Sequence, residues 1–316
     1  MEAPGTVTAI GKFYTRRLGL MIGYGLEDDV QKAYTFLMNT YEPGDKVYLF
    51  GFSRGAYTVR ALAALLYMFG LLRKHNEALV PYAFRMFKDI KSQIKDSSQN
   101  GFKLAAQFKA TFSSRDCKPW FVGVWDTVSS VGWAYNPLSL PYTTNNPDIQ
   151  IGRHAIAIDE RRCMFRTNLW NPSKPWGGPK DLKQVWFPGA HGDVGGGYPE
   201  AESGLAKLAL EWMIKEAVAN GLLVDQSKVD TILGKTNTDY IKPNPNAEIH
   251  NTLTKLWMIA EYLPKRYYDG VTKTYKYRLS RGMARKIPAK SFIHKSAFER
   301  DKDYTQKLPT DAIPVE

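Results

Sequence analysis

The pattern of apolar and polar residues before position 70 predicts a helix, a buried strand and a second helix. Residues 27–39 carry apolar side chains at helical spacing, with three acidic residues at the expected positive end of that helix. The run KVYLF, Lys46 to Phe50, has the β-branched and aromatic composition of a short buried strand. A turn over residues 51–55 then leads into an apolar helix predicted over Ala56 to Phe69. The order strand, sharp turn, helix is therefore the first structural expectation.

Farther along the chain, further strands alternate with further helices. The pattern predicts a helical excursion over 75–118, buried strands over 119–125 and 182–187, and helices over 151–162 and 203–220. Beyond residue 220 the periodicity weakens, so an irregular, basic C-terminal part is predicted over 221–316. Such alternation is typical of an α/β fold with a mainly parallel sheet flanked by helices. We expect residues 1–316 to form a single domain of this class.

The composition excludes several classes of protein. Hydrophobic residues make up 44% of the 316 residues and charged residues 23%, which is typical of a folded globular chain. The two cysteines, Cys117 and Cys163, lack the spacing of a disulfide framework or a metal site. No P-loop occurs, and a dinucleotide motif at Gly23-Tyr24-Gly25 would place Asp28 where its third glycine belongs. The sequence predicts neither a cofactor nor a metal.

The net charge of +12 is concentrated towards the C-terminus. Residues 261–302 hold twelve Lys or Arg against four Asp or Glu, with tyrosines interleaved. Two interpretations stay open: the segment contacts an anionic membrane surface, or it is a solvated rim that keeps the protein soluble. Nucleic acid would explain the charge but not the ordered catalytic residues described below, so no nucleic-acid partner is predicted. The oligomeric state is left open.

Targeting segments are not evident in the sequence. Arg16 and Arg17 interrupt the stretch that would have to be apolar in a secretory signal. The longest apolar run, Ala61 to Leu72, has 12 residues, whereas a membrane-spanning helix needs roughly 20. The sequence therefore predicts a cytoplasmic protein.

The segment Gly51-Phe52-Ser53-Arg54-Gly55 matches the G-x-S-x-G pattern of a nucleophile elbow. In such an elbow, a strained turn between a strand and a helix lifts a serine hydroxyl above the edge of the sheet. An ordinary Gly/Ser turn could produce the same letters. The predicted strand before Ser53 and the predicted helix after it favour the elbow, so Ser53 is the candidate nucleophile.

A serine nucleophile needs a histidine as general base and a carboxylate to orient that histidine, and in this kind of fold the acid comes before the histidine. Asp126 directly follows the second predicted strand, and His191 follows the third in a glycine-rich loop. Because parallel strands present their carboxyl ends at one edge, we predict a triad of Ser53, Asp126 and His191. Asp193 is the second choice for the acid. Asp159 ranks lower, because it stands at the charged end of a predicted helix.

Five blocks of the sequence resemble, in order, the signature blocks of an uncharacterised α/β-hydrolase domain family that includes the phospholipase effectors of bacterial type VI secretion. The blocks are LFGFSRGAYTVRALA, GVWDTVSSVG, RHAIAIDERRCMF, VWFPGAHGDVGGGY and FIHKSAFERDKDY. The resemblance implies an α/β-hydrolase-like fold with Ser53 as nucleophile, Asp126 as acid, His191 as base and the Arg54 backbone N–H as one oxyanion donor. It also implies a lipid or small ester as substrate, and export by a signal-independent route if the protein is an effector.

The chain differs from that family's pattern before the nucleophile. The family begins with a strand that ends in an Asp-Gly-Thr turn, followed by a further strand, and no such block precedes Ser53. The chain is therefore expected to lack N-terminal strands and a second oxyanion-hole loop. Two functions stay open. One is a serine hydrolase that cleaves carboxylic esters, with lipid or phospholipid acyl esters expected, and the other is a catalytically impaired hydrolase-fold protein that acts as a membrane- or partner-binding module.

Overall fold

A six-stranded parallel sheet forms the centre of the protein in the computed structural model. Its strands, in spatial order, are β1 (Tyr48–Phe52), β4 (Phe121–Trp125), β7 (Ile151–Ala157), β8 (Asp181–Phe187), β11 (Phe292–His294) and β12 (Ile313–Val315). All five neighbouring pairs run parallel. The structure describes residues 25–95, 100–128, 132–133, 136–137, 140–163, 165–171, 177–254, 257–258, 261–262, 265–269 and 274–316.

Helices cover both faces of this sheet. They are α1 (Leu26–Thr40), α2 (Arg54–Phe69), α3 (Val80–Lys95), α4 (Asn100–Phe112), α5 (His191–Gly195), α6 (Gly204–Ala219), α7 (Gln226–Ile232) and α8 (Lys302–Thr305), with 3-10 turns at Glu77–Leu79, Glu200–Glu202 and Lys295–Ala297. Among the described residues, three antiparallel pairs lie outside the sheet: β2 (Leu71–Leu72) with β3 (Ser113–Arg115), β5 (Gly132–Trp133) with β6 (Asn136–Pro137), and β9 (Lys265–Asp269) with β10 (Thr274–Arg278). The predicted α/β class, with a mainly parallel sheet flanked by helices, is confirmed.

The sheet is buried because apolar side chains cover it from two sides. On one side α2 places Ala56 and Ala63 against Val122 and Val124 of β4. On the other side Trp212 of α6 packs among apolar residues of β4, β7 and β8. Strands covered on both faces read as continuous apolar runs, which explains why FVGVW in β4 was recognisable from the sequence.

The prediction of a helix over 151–162 is wrong, because residues 151–157 form the fully buried strand β7. The polar side chains of Arg153 and His154 both lie inside the protein. Arg153 pairs with Asp181 at 2.7 Å and with Glu216 at 2.6 Å. Buried polar groups of this kind are stable only when partners satisfy them, and those partners lie far away in the sequence.

The C-terminal part is less irregular than predicted. Strands β11 and β12 extend the central sheet, and Ile293 of β11 is fully buried. Both strands are short and weakly periodic, so the local sequence does not indicate a strand. Their conformation depends instead on the pairing of β11 with β8, which is distant in the sequence. The assignment of residues 1–316 to one domain stays a prediction.

Within the described residues, β1 pairs on one side only, with β4. The expectation of missing N-terminal strands bears on residues 1–24, which lie outside the described residues, as does most of the rejected dinucleotide motif. Among the helices that the structure describes, none is both long and apolar enough to span a bilayer.

Candidate active site

Ser53 occupies a strained turn between β1 and α2. Its backbone adopts φ 57° and ψ −118°, and its N–H donates to the carbonyl oxygen of Trp125 at 3.0 Å. A side chain with φ in the left-handed region costs on the order of 1–3 kcal/mol and is a feature of functional turns. Gly51 makes this turn feasible, because a Cβ there would collide with the backbone carbonyl of Gly55. Gly55 itself has open space where a Cβ would stand.

His191 is brought to Ser53 by the loop that follows β8. It opens α5, and its Nε2 lies 2.8 Å from the Ser53 Oγ. The imidazole is buried, with its ring centroid 4.6 Å from that of Phe52 and 4.8 Å from that of Phe165. These two aromatic rings restrict the orientation of the imidazole.

Asp126 completes the contact chain from the end of β4. Its Oδ2 lies 2.6 Å from the His191 Nδ1, and its Oδ1 accepts the Ala157 N–H at 3.1 Å. The carboxylate is fully buried, and the backbone has a φ of 38°. The structure thus brings Ser53, His191 and Asp126 together from the ends of β1, β8 and β4.

Arg285 is the residue of this site that sequence reasoning missed. Its Nη1 lies 2.5 Å from Asp126 Oδ1 and its Nη2 3.0 Å from Oδ2, a bidentate pair. The guanidinium also donates to the carbonyl oxygens of Ala157 at 2.9 Å and Phe165 at 2.5 Å. No local motif marks Arg285, because it lies 159 residues from Asp126 within a segment whose charge suggested a surface.

This pairing decides the charge of Asp126. Burial alone would raise the pKa of Asp126, but the charge of Arg285 and the hydrogen bond from His191 outweigh burial and hold that pKa well below its ordinary value. An ionised Asp126 can only accept hydrogen bonds, so His191 Nδ1 is the donor between them. In the neutral form of the His191 ring, Nε2 then carries no proton and can accept the Ser53 hydroxyl.

Asp193, the second-choice acid, does not contact the His191 ring. Its Oδ2 accepts the Ala190 N–H at 2.8 Å, and its Oδ1 lies 2.5 Å from the Nδ1 of His250. His250 also approaches Glu202 at 3.0 Å and stacks on Tyr198 with ring centroids 3.6 Å apart. Burial alone would lower the pKa of His250, but these two carboxylates raise it. Asp193 therefore holds the loop behind His191.

The remaining candidates are also located. Asp159 lies in the loop after β7, not at a helix end, and accepts the Gly189 N–H and the Tyr304 hydroxyl, each at 2.7 Å. His154 is buried in β7 and accepts the Thr127 N–H at 3.1 Å. Arg54 opens α2, so its N–H lies at the positive end of that helix. Over the described ranges, no group of three His, Cys, Asp or Glu could hold a metal ion.

Comparison with known proteins identifies a protein family whose model matches this chain. A family model described as "T6SS, Phospholipase effector Tle1-like, catalytic domain" matches residues 2–216. A protein of Saccharomyces cerevisiae, "Uncharacterized protein YEL023C", is 37% identical over 160 residues, which is 49% of this chain and 23% of the yeast protein. The chain thus spans about a quarter of that relative's length.

Two solved structures share a weaker likeness, each at 20% identity. One is an uncharacterised protein from Pseudomonas aeruginosa, with a TM-score of 0.36, covering 65% of this chain and 29% of that one. The other is the Tle1 effector bound to the VgrG spike of the type 6 secretion system, with a TM-score of 0.28, covering 57% of this chain and 32% of that one.

Proposed function

Because the chain belongs to the family of Tle1-like catalytic domains of type VI secretion phospholipase effectors, we propose that it is a serine hydrolase that cleaves acyl esters of lipids, phospholipids included. One observation carries the proposal: Ser53, His191 and Asp126 form a continuous hydrogen-bonded chain of 2.8 Å and 2.6 Å. A nucleophile, a base and an orienting acid in that order are what acyl transfer through a covalent intermediate requires.

In the first step, the Ser53 Oγ attacks the ester carbonyl while its proton passes to the His191 Nε2. The carbonyl π electrons move to oxygen, and the backbone N–H of Arg54, at the positive end of α2, stabilises that oxyanion. The tetrahedral intermediate collapses, the bond to the alkoxy oxygen breaks, and imidazolium His191 donates its proton to the leaving alcohol. The acyl group is then esterified to Ser53.

In the second step, His191 removes a proton from water, whose oxygen attacks the acyl-enzyme carbonyl. Collapse of this second intermediate releases the carboxylic acid and returns the proton to Ser53. Through both steps Asp126 stays ionised, because Arg285 stabilises its charge, and it compensates the positive charge that forms on His191.

The alternative, an impaired hydrolase-fold protein that only binds a membrane or a partner, is not favoured. A protein that only binds a partner would not need the strained backbone at Ser53, with its φ of 57°, or the fully buried carboxylate of Asp126 next to His191. An anionic membrane surface as the partner of 261–302 stays a prediction, as does a cytoplasmic location. Export without a signal peptide is consistent with a family of type VI effectors.

Labelling with a fluorophosphonate tests the proposal most directly, because the probe reacts only with an activated serine. We expect the wild-type protein to be labelled on the peptide that contains Ser53, and Ser53→Ala to lose both labelling and phospholipid hydrolysis with an unchanged melting temperature. Ser227→Ala, at an exposed serine, is the matched control and should keep both. Labelling elsewhere, or equal turnover in Ser53→Ala, would refute the assignment.

A further inference from the structure

A cavity of about 590 Å³ lies beside the catalytic residues. Its walls come from residues 160–169 after β7, residues 280–286 after β10, and Trp186 of β8. Three of its wall residues contact the triad: Phe165 packs on the His191 ring, Arg285 pairs with Asp126, and Glu160 accepts the backbone N–H of His191 at 3.2 Å. Its volume is in the range of small-molecule sites, which is roughly 300–1,000 Å³. The wall of this cavity and the surroundings of the triad therefore share residues.

The wall of this cavity carries an excess of positive charge. Five cationic side chains line it: Arg161, Arg162, Arg166, Arg285 and Lys286. Two of them are neutralised by buried carboxylates, since Arg162 pairs with Glu160 at 2.8 Å and Arg285 pairs with Asp126. A third carboxylate, Glu261, accepts the backbone N–H groups of Cys163 at 2.7 Å and Gly282 at 3.1 Å.

Three cations remain for a ligand: Arg161, Arg166 and Lys286. All three are exposed, and in the part of the chain that the structure describes none of them forms an ion pair with a carboxylate. The Nε of Arg161 donates to the Gly282 carbonyl at 2.8 Å, which holds its guanidinium at the wall. Arginine guanidinium groups bind phosphate oxygens in a bidentate manner, and a lysine adds a flexible positive charge.

We propose that this cavity binds the phosphodiester of a glycerophospholipid whose acyl ester is attacked by Ser53. The proposal rests on the proposed function and locates the phosphate of its substrate, since a glycerol backbone separates phosphate from acyl ester by only a few bonds. Apolar wall residues, among them Leu169, Trp186 and Met283, suit the glycerol and the first methylene groups. Because the cations line a concave site, they fit one headgroup better than a flat bilayer surface.

Binding to the Ser53→Ala protein tests this site without requiring turnover. The probes are dihexanoyl phosphatidylglycerol below its micellar concentration, dihexanoyl glycerol with the same chains but no phosphate, and inorganic phosphate. We expect Arg166→Gln with Lys286→Gln to weaken phospholipid binding at least about tenfold more than diglyceride binding, because charge-assisted contacts to phosphate are lost. Inorganic phosphate that binds as tightly as the phospholipid would make this a free-phosphate site and overturn the lipid assignment.

The matched control removes two positive charges elsewhere. Lys103→Gln with Lys242→Gln changes exposed residues that do not line the cavity, and both ligands should bind as in the parent protein. Equal weakening in the two double variants would assign the effect to overall charge and overturn the proposal.

Turnover in the otherwise wild-type background separates this proposal from the proposed function. In the Arg166→Gln/Lys286→Gln enzyme, the ratio of kcat/KM for the phospholipid to kcat/KM for the diglyceride should fall at least about tenfold, mainly through KM. An active enzyme with an unchanged ratio refutes the phosphate site and leaves the triad intact. If the phospholipid binds more tightly than the diglyceride but the wild-type protein hydrolyses neither ester, the proposed hydrolase activity is refuted and the phosphate site stands.

Discussion

Replacing Arg285 by Met would remove the partner of a fully buried carboxylate while keeping an unbranched side chain of similar length. Four hydrogen bonds disappear, two to Asp126 and one each to the carbonyl oxygens of Ala157 and Phe165. Asp126 then keeps only His191 and the Ala157 N–H as partners. The side chain of Arg285 is 9% exposed and that of Asp126 0%, so water can replace little of what is lost.

Removing one partner of a buried ion pair costs about 3–5 kcal/mol of unfolding free energy. With an unfolding entropy of about 2.1 cal/mol/K per residue, this loss lowers the melting temperature of the chain by about 5–8 °C. Arg285→Lys keeps the charge but cannot form the bidentate contact, so we expect a smaller loss. Arg281→Met removes the same charge from an exposed position on the same segment and is the control.

The dependence of this loss on pH identifies its cause. In the wild-type protein the pKa of Asp126 is lowered, so the stability contributed by the ionised group is complete above its unfolded pKa of about 3.9 and disappears as pH falls below that value. Without Arg285, the effect of burial is less compensated, so the pKa of Asp126 is higher in the variant than in wild type. The deficit of Arg285→Met relative to wild type is therefore larger near neutral pH than at about pH 5, which is closer to the pH at which the variant takes up a proton.

Thermal melts of wild type, Arg285→Met, Arg285→Lys and Arg281→Met at both pH values measure this deficit. Ester hydrolysis should fall as well, because the Asp126 carboxylate that orients His191 loses the guanidinium that holds it in place. The role assigned to Arg285 is refuted if Arg285→Met melts within about 1 °C of wild type, or if its deficit is the same at the two pH values.

Three further changes test the site and its surroundings. Asp126→Asn should lower kcat by about 10³- to 10⁴-fold with little effect on KM. Asp193→Asn should mainly lower stability, by about 1–3 kcal/mol, because it leaves a buried N–H poorly satisfied. The reverse pattern in steady-state kinetics and thermal melts would show that the acid is Asp193. Gly51→Ala should cost both stability and activity because its Cβ meets the backbone of Gly55, while Gly55→Ala, with open space at that position, should cost little; equal effects on melting temperature and turnover would contradict this account of the turn. Burial lowers the pKa of His154 to about 3. As the pH falls, the unfolded chain therefore gains a proton at this residue before the folded chain does, and stability falls by up to about 1.4 kcal/mol per pH unit from pH 6.5 down towards 3. His154→Gln, which keeps an acceptor for the Thr127 N–H, should make the melting temperature less dependent on pH in that range, and an unchanged dependence would rule out His154 as its source.

The features that could be predicted from the sequence depend on neighbours along the chain. The strand, turn and helix around Ser53 follow from an aromatic run that forms the half-buried strand β1, a glycine that permits close backbone approach, and an apolar helix, all within 25 residues. Asp126 and His191 could be predicted because Asp126 directly follows one recognisable strand and His191 follows another after three residues, and parallel strands present such residues at one edge of the sheet.

Polar residues with distant partners could not be placed from the sequence. The prediction of a helix over 151–162 missed strand β7, and no local signal reveals that Asp181, Glu216 and the Thr127 N–H satisfy Arg153 and His154 inside the protein. Arg285 looked like one surface cation among many, yet it fixes the charge of Asp126. The burial of a segment determines the spacing of its apolar residues, so it can be predicted from the sequence. The pairing of buried charges depends on which segments meet in three dimensions, so it cannot.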